Sequence, residues 1–201
     1  MTELAVLQAV RLKGRVSPTD LAATLGHDVA TVTRIAERLT AAGLLAGGAT
    51  LRISPDGRDR LAALLAEERD GVDMGAITAA YADFRSVNAE FKSLVTDWQV
   101  KGGRPNPHDD VDYDAAVLAR LDAVHARVLP IIAAVAAQLP RITAYSTKLV
   151  AALEKIRDGD NSFLTRPLAD SYHTVWFEWH EELIGAAGLT REEAARSGDA
   201  Q

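Results

Sequence analysis

The chain has 201 residues, enough for one large or two small domains, and 48% of them are hydrophobic, which suffices for an ordinary core. It contains no cysteine, which excludes a disulfide framework, a thiolate metal site and a cysteine nucleophile. The net charge of −6 argues at first against nucleic acid, but residues 1–70 hold nine basic and nine acidic side chains, so the whole acidic excess lies in residues 71–201.

The sequence shows no pattern of a targeting or membrane segment. The first ten residues include an acidic side chain and no long apolar run, which is unlike a signal peptide. No stretch of about 18 apolar residues occurs, so we expect no membrane span. Together with the lack of cysteine, these features predict a cytoplasmic protein.

A basic cluster follows the first predicted helix, which covers about residues 3–13. The cluster consists of Arg11, Lys13 and Arg15. These side chains either contact a nucleic-acid backbone or belong to a solvated loop, and the sequence favours neither interpretation.

Residues 17–45 predict two short helices joined by a tight turn. Ser17 is an N-cap candidate, and Pro18 stands at the first helical position, where its missing N–H costs nothing. Gly26 ends this helix because glycine readily adopts the left-handed conformation of a C-cap. Asp28 then caps the second helix of the pair.

The second helix has an apolar inner face and an outer face of short and basic side chains. Its inner face is predicted from helical spacing at Val32, Ile35, Ala36 and Leu39. Short outer residues permit close approach to base edges, and arginine supplies donors for guanine or phosphate. The candidates for base contacts are Ala30, Thr33 and Arg34. The candidates for phosphate contacts are Thr31, Arg38 and, in the hairpin that follows, Arg52.

A β-hairpin and a further helix complete this part of the chain. Residues 46–53 predict a small hairpin that turns at Gly47-Gly48. Ser54 and Pro55 then provide an N-cap and a first helical residue for a helix that ends near residue 69. Residues 70–73 are the predicted domain boundary.

With these elements, residues 4–69 resemble the winged helix-turn-helix of bacterial transcriptional regulators of the MarR and ArsR type. The segment LAATLGHDVATVTRIAERLTAAGLL is similar to their recognition segment, and ISPDGRDRL is similar to the start of their post-wing helix. The resemblance covers about a third of the chain. It implies that the protein binds double-stranded DNA as a homodimer, because a two-fold pair reads two half-sites one helical turn apart.

The remainder of the chain predicts four long helices joined by short polar breaks. They cover about residues 74–100, 113–139, 141–157 and 166–187, with Leu168 on the inner face of the last. The predicted fold class is therefore mainly α: an N-terminal winged helix-turn-helix with a small β-hairpin, followed by a C-terminal antiparallel helical bundle of about four helices. Residues 1–70 would form the DNA-binding domain and residues 71–201 an all-helical effector or dimerisation domain.

Polar and aromatic side chains are concentrated at mid-height of the predicted bundle, mostly on its fourth helix. Buried polar groups cost free energy unless they are paired, and a cluster of them among aromatics is typical of a small-molecule pocket. The alternative is that they satisfy one another within the core. The candidate pocket residues are Asn88, His125, Tyr172, His173, Trp176 and His180.

The same histidines allow a second interpretation, a metal site with Glu178 or Glu181. The seven-residue spacing of His173 and His180 separates their imidazoles by about 10 Å of helical rise, which is too far for one ion. We therefore expect no metal and no other cofactor. Asp110, Asp112 and Asp114 resemble the start of a calcium loop but lack its glycine and its bidentate glutamate, so they predict a charged helix N-terminus.

No glycine-rich phosphate loop follows a strand, and no Ser-His-Asp order occurs with a nucleophile elbow, so no enzyme activity is expected. The predicted function is a DNA-binding transcriptional regulator whose helical domain senses a small ligand, dimerises, or both. Two alternatives stay open: a protein-interaction module that uses the winged helix as a scaffold, which the balanced charge of residues 1–70 favours, and a histidine-based metal sensor.

Overall fold

Two separate hydrophobic cores organise the protein, whose computed structural model describes residues 2–196. The contacts between Cα atoms divide the chain between Gly71 and Val72. Position 1 and positions 197–201, which the predicted domains include, lie outside the described residues.

Side-chain caps fix the start of each helix in the first unit. Thr2, Ser17, Asp28 and Ser54 each accept a hydrogen bond from a backbone N–H of the first turn that follows, which satisfies a donor without a helical partner. The elements are α1 (Glu3–Lys13), α2 (Pro18–Leu25), α3 (Val29–Ala41), β1 (Leu45–Gly47), β2 (Leu51–Ile53) and α4 (Pro55–Arg69). This order confirms the predicted winged helix-turn-helix with a small β-hairpin.

The hairpin is antiparallel, and it gains a further pairing from the segment before α2. Leu45 pairs with Ile53, and the loop at 48–50 reverses the chain, one residue later than the predicted turn. Val16 forms an isolated bridge with Leu51, in which each residue donates its N–H to the other's carbonyl at 3.1 and 2.8 Å. The wing is therefore tied to the entry of α2.

The second unit consists mainly of long helices. Its main helices are α5 (Met74–Gln99), α6 (Val111–Gln138), α7 (Thr143–Arg157) and α8 (Tyr172–Ala186), followed by the short α9 (Arg191–Arg196). Two-residue strands β3 (Val100–Lys101) and β4 (Arg104–Pro105) form a hairpin between α5 and α6, and 3₁₀ turns lie at Pro140–Ile142 and Asn161–Leu164.

Contacts between neighbouring helices show that the four long helices are antiparallel. Arg120 of α6 reaches Asp97 of α5, whereas Arg127, farther along α6, reaches Glu90, earlier on α5. The same reversal relates α5 to α8, since Phe91 stacks on Trp176 and the earlier Phe84 contacts the later His180. Lys148 of α7 pairs with Asp170, just before α8 begins, and Tyr145, earlier on α7, contacts Glu182, late on α8. The bundle predicted from the apolar stripes is confirmed.

The start of the last long helix and one loop differ from the sequence-based predictions, which were wrong at these two places. Ser171 caps α8 by accepting a hydrogen bond from the N–H of Thr174, so α8 begins at Tyr172 and not near Pro167. Leu168 is consequently fully exposed, with φ of 59°, and not inward. The hairpin of β3 and β4 was not predicted. No helix of the described residues has the length and apolar character needed to cross a membrane.

Candidate functional site

The outer face of α3 is open to solvent within its unit. Ala30, Arg34 and Arg38 are exposed, whereas Thr31 and Thr33 are half-buried. The opposite face fixes this orientation, because its apolar residues are packed against α1, α2 and the hairpin: Val32, Ala36 and Leu39 are buried and Ile35 is partly buried. The structure thus brings five of the six predicted DNA-contacting residues together on one helix.

The first turn of α3 is held by a short local network. The Asp28 carboxylate accepts a hydrogen bond from the N–H of Thr31 at 2.8 Å, and Thr31 Oγ1 accepts one from Arg34 Nη2 at 3.4 Å. The hydrogen bond from the Thr31 N–H lowers the pKa of Asp28, with a smaller contribution from the Arg34 charge. The Arg34 guanidinium keeps four other N–H donors for a ligand.

Arg52 lies on the wing, and the structure adds a second arginine beside it. Arg52 is exposed on β2. Because Val16 pairs with Leu51, the preceding Arg15 lies next to the hairpin. Arg15, Arg52 and residues 47–50 line a shallow pocket with a volume of about 290 Å³. Arg15, from the basic cluster before α2, therefore lies beside the wing. Arg11, from the same cluster, donates a hydrogen bond to Gln8 Oε1 in α1. The sequence could not show this pairing, which joins residues far apart along the chain.

A cavity of about 230 Å³ lies between α5 and α8 in the second unit. Its floor contains a buried hydrogen bond in which Trp176 Nε1 donates to Asn88 Oδ1 at 2.9 Å. Phe91 stacks on the Trp176 ring at 4.3 Å between centroids, which fixes the indole against α5. The lining residues are Asn88, Phe91, Lys92, Val95, Thr96, His173, Trp176, Phe177 and His180.

Four of the six predicted pocket residues line this cavity, and the other two lie elsewhere. His125 Nδ1 is 3.0 Å from Tyr172 Oη, and this pair does not contribute to the lining. Burial lowers the pKa of His125, and the nearby Arg157 charge lowers it further. Burial also lowers the pKa of His173 and raises that of the Tyr172 phenol. These groups are therefore neutral near pH 7.

A buried ionic contact on another face of α8 was not predicted. Arg141 Nη1 lies 2.6 Å from Glu182 Oε2, and Tyr145 Oη donates to Glu182 Oε1 at 3.2 Å. Burial and the negative charge of Glu182 raise the pKa of Tyr145 well above its ordinary value. The arginine compensates the buried carboxylate, so this contact ties the start of α7 to the end of α8.

The histidines do not come together as metal ligands. His125 contacts Tyr172, His173 lies beside Phe91, and His180 lies beside Phe84. Within residues 2–196, no group of three or more histidine, aspartate or glutamate side chains has a geometry that could hold an ion. Asp110 caps α6 through the N–H of Tyr113, which confirms the predicted helix N-terminus at the aspartate cluster.

Comparison with known proteins gives one match, to the first unit. Residues 2–46 match the family of winged helix-turn-helix DNA-binding domains, a range that includes α1, α2, α3 and most of β1. No curated protein and no solved structure matches the chain. The first unit is thus a winged helix-turn-helix of a DNA-binding type, which indicates a DNA-binding regulator.

Proposed function

We propose that the protein is a cytoplasmic transcriptional regulator of the MarR and ArsR type that binds operator DNA as a homodimer. In this proposal α3 enters the major groove, the wing contacts the backbone, and a small molecule in the cavity between α5 and α8 changes the affinity for DNA. Such an effector acts by favouring a conformation in which the two DNA-binding units no longer match two half-sites.

The observation that carries the DNA-binding part is the exposed face of α3. Ala30 and Thr33 are short enough to let the helix backbone approach base edges, and Arg34 extends from the same turn with donors suited to guanine O6 and N7. Arg38 on the next turn and Arg52 on the wing are both exposed, and they provide the cations for phosphate contacts in this proposal. The matched family supports this use of the face.

Substitution of Arg34 tests the assignment. A duplex selected from a random pool by the full-length protein provides the probe, and gel shift provides the dissociation constant. We expect Arg34→Ala to weaken binding by about 1–3 kcal/mol, roughly 5- to 150-fold, because a base-contacting arginine is lost.

Arg60→Ala is the matched control. Arg60 Nε pairs with Glu3 in α1 at 2.9 Å, so its side chain is directed toward α1 and not toward the α3 face. We expect its affinity to stay within about twofold of wild type. Equal affinity of Arg34→Ala and wild type for the selected duplex would remove Arg34 from the interface.

The effector part rests on the chemistry of the cavity between α5 and α8. Phe91 and Trp176 provide a stacked aromatic floor, the Asn88 amide lies within that floor, and His173 and Lys92 lie at its edge. A few polar groups among aromatic walls are what fixes the orientation of a small ligand. A planar molecule with one or two hydrogen-bonding groups fits this lining.

A blocking substitution tests the cavity. Thr96 is an exposed lining residue, so Thr96→Trp places an indole at the cavity mouth, whereas Ala89→Trp places one on an exposed position of α5 outside the lining. A thermal-shift screen with planar heterocycles should give hits that raise the Tm of wild type and of Ala89→Trp, and that also release the selected duplex. Thr96→Trp should lose both effects; hits that persist in this variant would contradict a ligand site in the cavity.

A further inference from the structure

A groove at the end of the bundle where α5 ends and α6 begins plays no part in the function proposed above. Its volume is about 900 Å³, within the range of small-molecule sites. The apolar lining residues are Trp98, Val111, Ala115, Leu118 and Pro167. The polar lining residues are His108, Asp114, Asn161, Ser162, Thr165 and Arg166.

The imidazole of His108 is fixed from several sides. Its Nδ1 lies 2.9 Å from Asp114 Oδ2, and its ring packs on Trp98 at 4.3 Å between centroids. Asn106 Nδ2 donates to Asp114 Oδ1 at 2.9 Å and to the Trp98 carbonyl at 3.0 Å. Asn106 therefore orients the Asp114 carboxylate, and this carboxylate in turn orients the His108 imidazole. With Nδ1 engaged, Nε2 is the ring nitrogen left to meet a ligand.

The backbone at this groove is strained. His108 has φ of 57°, a left-handed conformation that costs a non-glycine residue about 1–3 kcal/mol and persists when its surroundings fix it. Its N–H donates to Asn106 Oδ1 at 3.2 Å, which contributes to that constraint. Within residues 2–196 one other non-glycine residue has a positive φ, Leu168, which directly follows the lining Pro167. Such strain is typical of functional sites.

The charged residues of the groove indicate which charge a ligand would carry. Asp114 is the one acidic lining residue among those described, and both of its oxygens accept hydrogen bonds. The Arg166 guanidinium has no carboxylate partner in the described part of the chain and lies 5.7 Å from the Phe163 ring. Of two carboxylates next to the groove, Asp110 is paired with Lys101 Nζ at 2.7 Å, whereas Asp160 accepts a hydrogen bond from the neutral Ser162 Oγ at 2.6 Å.

From this arrangement we infer that the groove binds a small organic anion with a flat apolar body. The anionic group pairs with Arg166 and accepts hydrogen bonds from the Asn161 amide and the Thr165 hydroxyl. The apolar body lies against Leu118 and Trp98, and His108 Nε2 provides a directional hydrogen bond at the groove edge. The site depends neither on DNA binding nor on the cavity between α5 and α8.

Titration of the full-length protein with two acid–amide pairs tests the inference. The probes are 1-naphthoate and indole-3-acetate, each compared with its neutral amide, and the readout is the NMR signals of the His108 imidazole and the Trp98 indole. At least one acid should shift both signals saturably and bind about tenfold or more tightly than its amide, since a charged pair is lost in the amide. The signals of His173, in the other cavity, should not move.

Two arginine variants complete the test. Arg166→Gln, at an exposed position, should keep the Tm and weaken the acid about tenfold while leaving the affinity of the amide unchanged. Arg104→Gln removes an exposed arginine of β4 outside the groove and should bind as wild type does. The inference is overturned if neither acid moves the His108 and Trp98 signals, or if Arg166→Gln binds the acid as tightly as wild type.

Discussion

At Gly57, α4 closely approaches the base of the wing. A Cβ at this position would lie 2.0 Å from the Leu44 carbonyl oxygen and 2.9 Å from Ile53 Cγ1. The carbonyl cannot easily withdraw, because it also accepts hydrogen bonds from the N–H of Ser54 at 3.1 Å and from Ser54 Oγ at 3.0 Å. The glycine is therefore required by close approach and not by its backbone conformation.

Gly57→Ala should lower the free energy of unfolding of the first unit by about 1–3 kcal/mol, the usual cost of an added methyl in a filled space. All three tryptophans lie in residues 72–201, so urea unfolding is better followed by the backbone amide NMR signals of α1 to α4. Gly48→Ala is the control, because a Cβ there meets nothing within 4 Å, and it should cost less than about 0.5 kcal/mol. Equal midpoints for the two variants would refute the steric argument.

The α2–turn–α3 segment could be predicted from the sequence because its signals are local. Ser17, Gly26 and Asp28 act on the residues next to them, and each has the predicted capping role. The helix rotation that turns Arg34 outward follows equally from the spacing of its apolar neighbours. The contact of Arg34 with a base stays a prediction.

At the scale of single elements, α8 depends on more than its own sequence. Pro167 has the features of a first helical residue, yet the chain from Pro167 to Asp170 is not helical and Ser171 is the cap.

The residues of the cavity between α5 and α8 were predicted in part. Periodicity placed Asn88 and Trp176 at one height of the bundle, and the two side chains are hydrogen-bonded. The periodicity could not show that His125 lies outside the cavity lining, because that depends on how α6 is rotated about its axis. The contact of His108 with Asp114 was missed because the unpredicted hairpin of β3 and β4 precedes His108 and sets its position.

The packing of α6 and α8 makes the stability of the bundle sensitive to acid. Burial lowers the pKa of His125 and of His173, so the unfolded chain binds protons more readily than the folded one below about pH 6.5. The two groups contribute nothing to pH dependence above this value. As the pH falls from there through the lowered folded pKa values, the free energy of unfolding decreases.

A double variant, His125→Gln with His173→Gln, should therefore lose less Tm than wild type between pH 7.5 and pH 5.5. Glutamine keeps a hydrogen-bonding group near Tyr172 but does not titrate. His27→Gln, at an exposed position in the turn between α2 and α3, serves as the matched control and should retain the wild-type slope. A double variant with the wild-type slope would show that other groups cause the acid sensitivity.

At the scale of the whole chain, the distribution of charge sets how DNA binding responds to salt. The acidic excess lies in residues 71–201, and the exposed cations that we expect to meet phosphate are Arg38 and Arg52, with Arg15 beside the wing as a third. Each neutralised phosphate adds about −0.9 to the slope of log K against log salt, so three such contacts give a slope on the order of −3 per bound subunit. Fluorescence anisotropy of a labelled selected duplex from 50 to 300 mM salt measures it.

Arg15→Gln should make that slope shallower by about one unit with little change in the selected sequence, because a phosphate contact positions the protein without reading bases. Arg60→Gln should leave the slope unchanged, since Arg60 pairs with Glu3. A slope near zero for the wild type would instead favour the interpretation of the winged helix as a protein-interaction scaffold.

The pairing of Val16 with Leu51 has a consequence for regulation. Two main-chain hydrogen bonds join the hairpin to the segment before α2, which couples the wing to the helix-turn-helix. Under the proposed homodimer, an effector would therefore displace each first unit as a rigid body. It would act by changing the distance and angle between the first units of the two subunits and not the internal geometry of either one.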